Sequence, residues 1–114
     1  MQDSIHAIVV AAGTGSRFGS ERPKQFLDLA GKPILAHAIA PFQQHHEVES
    51  IVVVVSDSWI EFVEQDIVSK IGYDKVTEIT SGGQRRQDSV LAGLSALPDS
   101  ATHVLIHDGA RPFA

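Results

Sequence analysis

Cysteine is absent from the 114 residues, which excludes a disulfide framework, a thiolate metal site and a cysteine nucleophile. No apolar run reaches the ~20 residues of a membrane-spanning helix, and the opening MQDSIHAIVV lacks the basic start of a secretory signal. A soluble, cytoplasmic protein with no membrane partner is the expectation. Charge is also sparse: 20% of residues are charged and the formal net charge is −5. That balance argues against a general nucleic-acid or membrane-surface binder, so any anionic ligand must be met by locally placed cations. Internal repeats, low-complexity segments and long polar tracts are missing too, and the chain does not read as disordered. What is present is 43% hydrophobic residues, enough for one compact domain over residues 1–114 with a core of its own.

Four apolar runs rich in β-branched residues predict strands: IHAIVV (5–10), SIVVVVS (50–56), KVTEIT (75–80) and THVLIH (102–107). The second is apolar throughout, as expected of a strand covered on both faces. Between them lie helical patterns. In PILAHAIAPFQQ, Pro33 suits the first turn, and Ile34, Leu35, Ala38, Ile39 and Phe42 form an apolar stripe. In SDSWIEFVEQDIVSKIG, one of Ser56, Asp57 and Ser58 caps, Ile60, Val63, Ile67 and Ile71 share a face, and Gly72 stops the helix. In RRQDSVLAGLSALP, Val90, Leu91, Leu94 and Leu97 are expected to face inward, with Pro98 ending the run. Alternating strands and helices predict an α/β domain with a mainly parallel sheet and flanking helices. Segment 19–33, with Gly19, Pro23, Gly31 and Pro33, reads as a long irregular loop. Long loops in compact domains tend to be functional.

In such sheets ligands sit beyond the carboxyl ends of the strands. Three unusual segments follow strand ends here. After the first strand, Ala11, Ala12, Gly13 and Gly15 allow close backbone approach, and their amides can face phosphate oxygens. Arg17 and Lys24 are placed to clamp the same phosphates, with Pro23 restricting Lys24. The spacing is neither a Walker loop, which needs Gly-Lys-Ser/Thr, nor a dinucleotide fingerprint, since Gly13, Gly15 and Gly19 give G-x-G-x-x-x-G. The plain alternative is a tight turn with solvated cations. After the third strand, Gly82 and Gly83 precede a helix whose positive end favours an anion or polar ligand. Arg86 and Ser89 lie three apart on one helical face; the alternative is a glycine turn into an amphipathic helix with solvated arginines. After the fourth strand, Asp108 is placed to hold Mg²⁺ against phosphates. It serves equally to cap the turn or to pair with Arg111.

The remaining polar residues carry less. His45 and His46 are adjacent and read as a solvated pair. His107 points to the sheet face opposite Asp108 and is not read as a base. Trp59 reads as core packing, and no Ser-His-Asp or metal-histidine spacing is present.

Taken together, AAGTGSRFGSERPKQF, GGQRRQDSV and HDGARPF resemble the 2-C-methyl-D-erythritol 4-phosphate cytidylyltransferases, in matching order and spacing over residues 5–113. The resemblance implies a Rossmann-like nucleotidyltransferase fold. It implies that Ala11, Ala12, Gly13, Thr14 and Gly15 wrap the CTP phosphates and part of the nucleotide, and that Arg17 and Lys24 stabilise the transition state. It further implies that Gly83, Gln84, Arg86 and Ser89 recognise cytosine and ribose, and that Asp108 binds Mg²⁺. The expected partners are CTP and a sugar-alcohol phosphate. Gly109 stands where alanine is more usual. Members of the family continue well past residue 114 into a part that binds the acceptor and dimerises. The chain is therefore expected to be a piece of a longer homodimeric enzyme, with little turnover by itself. The ribitol 5-phosphate cytidylyltransferases share these motifs and remain an alternative, as does a non-catalytic CTP-binding fragment.

Overall fold

The computed structural model describes residues 5–12, 24–83, 85–99 and 101–109. The expected residues Gly13, Thr14, Gly15, Arg17, Gly19, Pro23, Gln84 and Arg111 lie outside that set, and Lys24 is described in its backbone alone.

Four strands form one parallel sheet: β1 (Ile5–Val10), β4 (Val48–Val55), β5 (Val76–Ser81) and β6 (His103–Asp108), in the order β5-β4-β1-β6. All four match the apolar runs to within two residues. The order reverses around β1, which takes β4 on one side and β6 on the other, through pairs such as Val10↔Val54 and Val10↔Asp108. Both central strands are buried along nearly their whole length, since helices cover both faces. β6 is an edge of this described sheet, with Val104, Leu105 and Ile106 exposed.

Alternation along the strands sorts the core into two layers. Ala7, Val9, Ala11, Ile51, Val53 and Val55 face α1 (Ile34–Gln44), a short α2 (Ile60–Phe62) and the π-helical turns Val63–Ser69 that continue it. Ile8, Val10, Val52 and Val54 face α3 (Arg86–Ser95). On α1 the buried residues are Leu35, Ala36, Ala38 and Ile39, close to the expected stripe. Val63 and Ile67 are buried in the next helix, and Gly72 ends it at φ 90, a left-handed value that glycine adopts without strain.

Three expectations are corrected. First, segment 19–33 is not irregular throughout. Lys24–Phe26 is a 3₁₀ turn, and β2 (Asp28–Leu29) pairs antiparallel with β3 (Lys32–Pro33). Ala30 and Gly31 join them at φ 53 and 86, the doubly positive pattern that matches strand twist in a two-residue hairpin. Second, Pro33 is the residue before α1 and closes β3. Its ψ of 148 is extended, so the first helical residue is Ile34. Third, Leu91 and Leu94 do not face inward: they are 61% and 42% exposed. α3 instead turns Ser89 and Gly93 to the sheet. A Cβ on Gly93 would lie 2.6 Å from Ile8 Cγ2, so the helix seats on its smallest residues. At 100° per residue that places 91 and 94 on the far side, while Val90 and Leu97 still pack inward.

Candidate functional site

The carboxyl ends of β1, β5 and β6 meet because β1 is central and because small residues, Ala11, Gly82 and Gly109, follow them. β1 continues one step past its last register pair: Ala11 N–H donates to the Val54 carbonyl at 2.7 Å. Gly82 N–H donates to Val55 at 2.8 Å, and Gly109 N–H donates to Val10 at 2.8 Å. The backbone of all three segments is thus tied to the sheet within a residue or two of where each leaves it.

Small side chains make the approach close. A Cβ on Gly82 would stand 2.5 Å from Ser89 Oγ, 2.6 Å from Ala12 Cβ and 2.8 Å from Val54 Cγ1. A Cβ on Gly109 would stand 2.9 Å from Ala11 Cβ and 2.9 Å from Leu35 Cδ1. Neither glycine has room for a side chain there. Ala11 and Ala12 therefore touch the other two segments: Ala12 lies against Gly82 beside Ser89, and Ala11 against Gly109.

Ser89 is 1% exposed, and its hydroxyl donates a long 3.4 Å hydrogen bond to the Gly83 carbonyl. It lies beneath the glycine turn, whereas Arg86, on the same side of α3, is exposed at the helix start. Its neighbour Arg85 is held by Asp88 through Nε and Nη2, each at 3.2 Å. The Asp88 carboxylate also accepts the Arg85 backbone N–H at 3.4 Å, which satisfies a donor at the helix end.

Asp108 shares its face with Val10, the face of α3, and is partly buried. His107 points the other way and lies edge-on to Phe42 of α1, with centroids 5.5 Å apart, as alternation requires. Among the described residues no group of three or more His, Asp or Glu side chains gathers to hold a metal. A lone carboxylate at the strand ends does not suit an all-protein metal cage. It does suit Mg²⁺, which takes one or two carboxylates and completes its octahedron with phosphate and water oxygens.

Sequence reading passed over Gln25. It is 6% exposed, and its amide Nε2 donates to the Ala11 carbonyl. Spacing gave no signal for this contact, because the two residues are brought together only by folding. The next residue, Phe26, is 1% exposed and stacks on Trp59, with centroids 4.3 Å apart and planes at 15°. Phe62 meets both rings edge-on. Trp59 is core packing, as expected. His45 and His46 are exposed and stack on each other.

Known proteins resemble this chain in sequence and fold. A chain from Clostridium acetobutylicum named 2-C-methyl-D-erythritol 4-phosphate cytidylyltransferase is 50% identical over 94% of this chain and 46% of its own. One of the same name from Clostridium novyi is 48% identical over the same shares. The crystal structure of 4-diphosphocytidyl-2C-methyl-D-erythritol synthase from Anaerococcus prevotii superposes with a TM-score of 0.80 at 29% identity. It covers 98% of this chain and 46% of that one. The present chain thus spans about half the length of the relatives it matches. The family model described as IspD, 2-C-methyl-D-erythritol 4-phosphate cytidylyltransferase, matches residues 5–114, and the chain belongs to that family.

Proposed function

We propose that this segment is the nucleotide-binding part of an enzyme that transfers a cytidylyl group from CTP to 2-C-methyl-D-erythritol 4-phosphate, releasing pyrophosphate. The observation that carries the reading is the meeting of three strand ends, with Ala12 against Gly82 and Ser89 and Ala11 against Gly109. Such a side-chain-poor junction suits a triphosphate, which needs backbone amides at close range. The names of the relatives support methylerythritol phosphate over ribitol phosphate as acceptor.

In the reaction, an acceptor phosphate oxygen attacks the α-phosphorus of CTP in line, and pyrophosphate departs opposite. Negative charge gathers on the equatorial oxygens, so positioning and electrostatics supply most of the rate. Ala11, Ala12, Gly13, Thr14 and Gly15 wrap the triphosphate on this reading, and Arg17 and Lys24 face the developing charge. One cation at ~4 Å contributes up to ~4 kcal/mol at an effective dielectric of about 20. Gly83, Gln84 and Arg86 read cytosine and ribose. Ser89, buried beneath that turn, supports it through its hydroxyl's hydrogen bond to the Gly83 carbonyl. Asp108 would hold Mg²⁺, which when bound neutralises phosphate charge. Both substrates are water-borne phosphates, in keeping with a cytoplasmic enzyme, and a homodimer is proposed for the full-length chain.

The test uses a full-length protein carrying this segment, CTP and Mg²⁺, with each of the two sugar phosphates in turn. The CDP-linked product is expected with methylerythritol phosphate. Product with ribitol 5-phosphate alone would reassign the acceptor, and CTP binding without turnover would leave only a binding domain. Lys24→Ala and Arg17→Ala should each lower kcat by roughly 10²–10³, by analogy with loss of one oxyanion donor. A tenfold or smaller loss in both would remove their assigned role.

A further inference from the structure

Gln25 is almost wholly buried between the end of β1 and the core, yet no step of the proposed chemistry uses it. Its side chain crosses to the Ala11 carbonyl. A carbonyl accepts and never donates, so the amide nitrogen, not the oxygen, must face it. This fixes the glutamine's orientation as well as its place.

Two consequences follow from peptide geometry. The Ala11 N–H donates to Val54 on the β4 side, and the Ala11 carbonyl is taken by Gln25. The Ala11–Ala12 peptide is planar and trans, so holding its carbonyl fixes Ala12 N–H in the direction opposite to Gln25. The second consequence concerns the 3₁₀ turn Lys24–Phe26. Gln25 ties that turn to the end of β1, and Phe26 ties it to Trp59 and Phe62. Lys24 is the turn's first residue, so its backbone is anchored from both following positions.

We propose that Gln25 is a positioning residue that sets two elements of the phosphate site at once, the direction of Ala12 N–H and the location of Lys24. The proposal rests on the cytidylyltransferase reading and extends it to a residue that no step of that reading uses. The competing account is purely structural: Gln25 satisfies a buried carbonyl, and its loss weakens the fold without affecting Lys24 in particular.

A double-substitution cycle separates the two. In the full-length enzyme, Gln25→Leu keeps most of the volume and deletes the donor. It should lower kcat about 10–100-fold, the scale expected of a misplaced catalytic group. In a Lys24→Ala background the same change should cost several-fold less than in the native one, because one of the two groups it positions is already gone. Equal losses in the two backgrounds, or a loss under about twofold in the native one, would overturn the positioning of Lys24. If Gln25→Leu fails to fold, Gln25→Asn, which withdraws the amide by one methylene, is put through the same cycle. Hydrogen exchange at the Ala11 amide, bonded to the Val54 carbonyl in the backbone that Gln25 holds, reads the other half without turnover. It should quicken at least about tenfold in the variant, and unchanged exchange would overturn that half. Failure of the unsubstituted enzyme to form product would instead strike the parent reading, and the exchange result would still decide whether Gln25 holds the backbone.

Discussion

The two faces of the sheet bury similar aliphatic strands beneath very different covers. One lies under α1, the α2 and π-helical segment and the rings of Phe26, Trp59 and Phe62, and its contacts are large side chains. The other, among the described residues, lies under α3, which meets it through Ser89 and Gly93 with Val90, Ala92, Ala96 and Leu97 around them. Cover by large groups buries more area and so contributes more stability per residue. Cover by small groups contributes less but brings backbone close to backbone. The close face is the one on which Ala12, Gly82, Ser89 and Asp108 are assembled. The division of labour is between a face that supplies most of the core, with the Ala11–Gly109 contact at its end, and a face that brings Ala12, Gly82, Ser89 and Asp108 together.

The sharpest way to break that comparison is Phe26→Ala. Phe26 is 1% exposed and touches two other rings, and truncating a buried phenylalanine costs about 3–5 kcal/mol. Urea denaturation of the full-length protein should show a loss of that size. A loss under about 1 kcal/mol would mean the rings pack without supporting the core.

A smaller effect is expected on the close face from Gly93→Ala. Alanine gains about 1 kcal/mol of helix propensity over glycine. The new methyl, however, would stand 2.6 Å from Ile8 Cγ2, with Val54 Cγ2 and Ile8 Cδ1 at 3.2 and 3.3 Å. Ile8 and Val54 are both fully buried in central strands, so neither can withdraw. Overpacking of about 1–3 kcal/mol therefore wins, for a net loss of about 1 kcal/mol. Because α3 carries Ser89 under Gly82, the substitution should also weaken CTP binding, read by calorimetry. A stabilised variant with unchanged affinity would show that the helix has slack and that closeness is not what the glycine provides.

The same contrast decides what could be read from sequence. β4 was legible because residues 51–55 are an unbroken run of β-branched residues, which is what a strand buried on both faces looks like. The meeting of the three segments was legible because parallel strands put their following loops at one end. The seating of α3 was not. Hydropathy pointed Leu91 and Leu94 inward, but size decided: Ser89 and Gly93 let the helix descend onto Ile8, and the leucines went outward. The hairpin at Asp28–Pro33 was missed because its turn, Ala30-Gly31, puts alanine where asparagine, aspartate or glycine is the usual cue. Gln25 was invisible for another reason: its partner is a backbone carbonyl, which every residue carries.

Tyr73 offers the finest test, because the large-residue face also contains one polar tie. It is the chain's single tyrosine, 6% exposed, and its hydroxyl donates to the Ala36 carbonyl of α1 at 2.9 Å. Tyr73→Phe deletes that hydrogen bond and should cost about 1 kcal/mol at neutral pH. Burial raises the phenol's pKa above its ordinary 10.0, because the charged form is poorly solvated there. The unfolded chain releases this proton near pH 10, while the folded chain keeps it. The stabilisation is therefore fully present below pH 10 and is lost as the pH rises through the raised folded value. The native protein should lose stability there faster than Tyr73→Phe, so the two denaturation free energies should converge at alkaline pH. Tyrosinate absorbance follows the same group directly, since no other tyrosine competes. A gap that stays constant across the alkaline range would show that the hydroxyl reaches water, and the large-residue face would then be less tightly closed at Tyr73 than at Phe26.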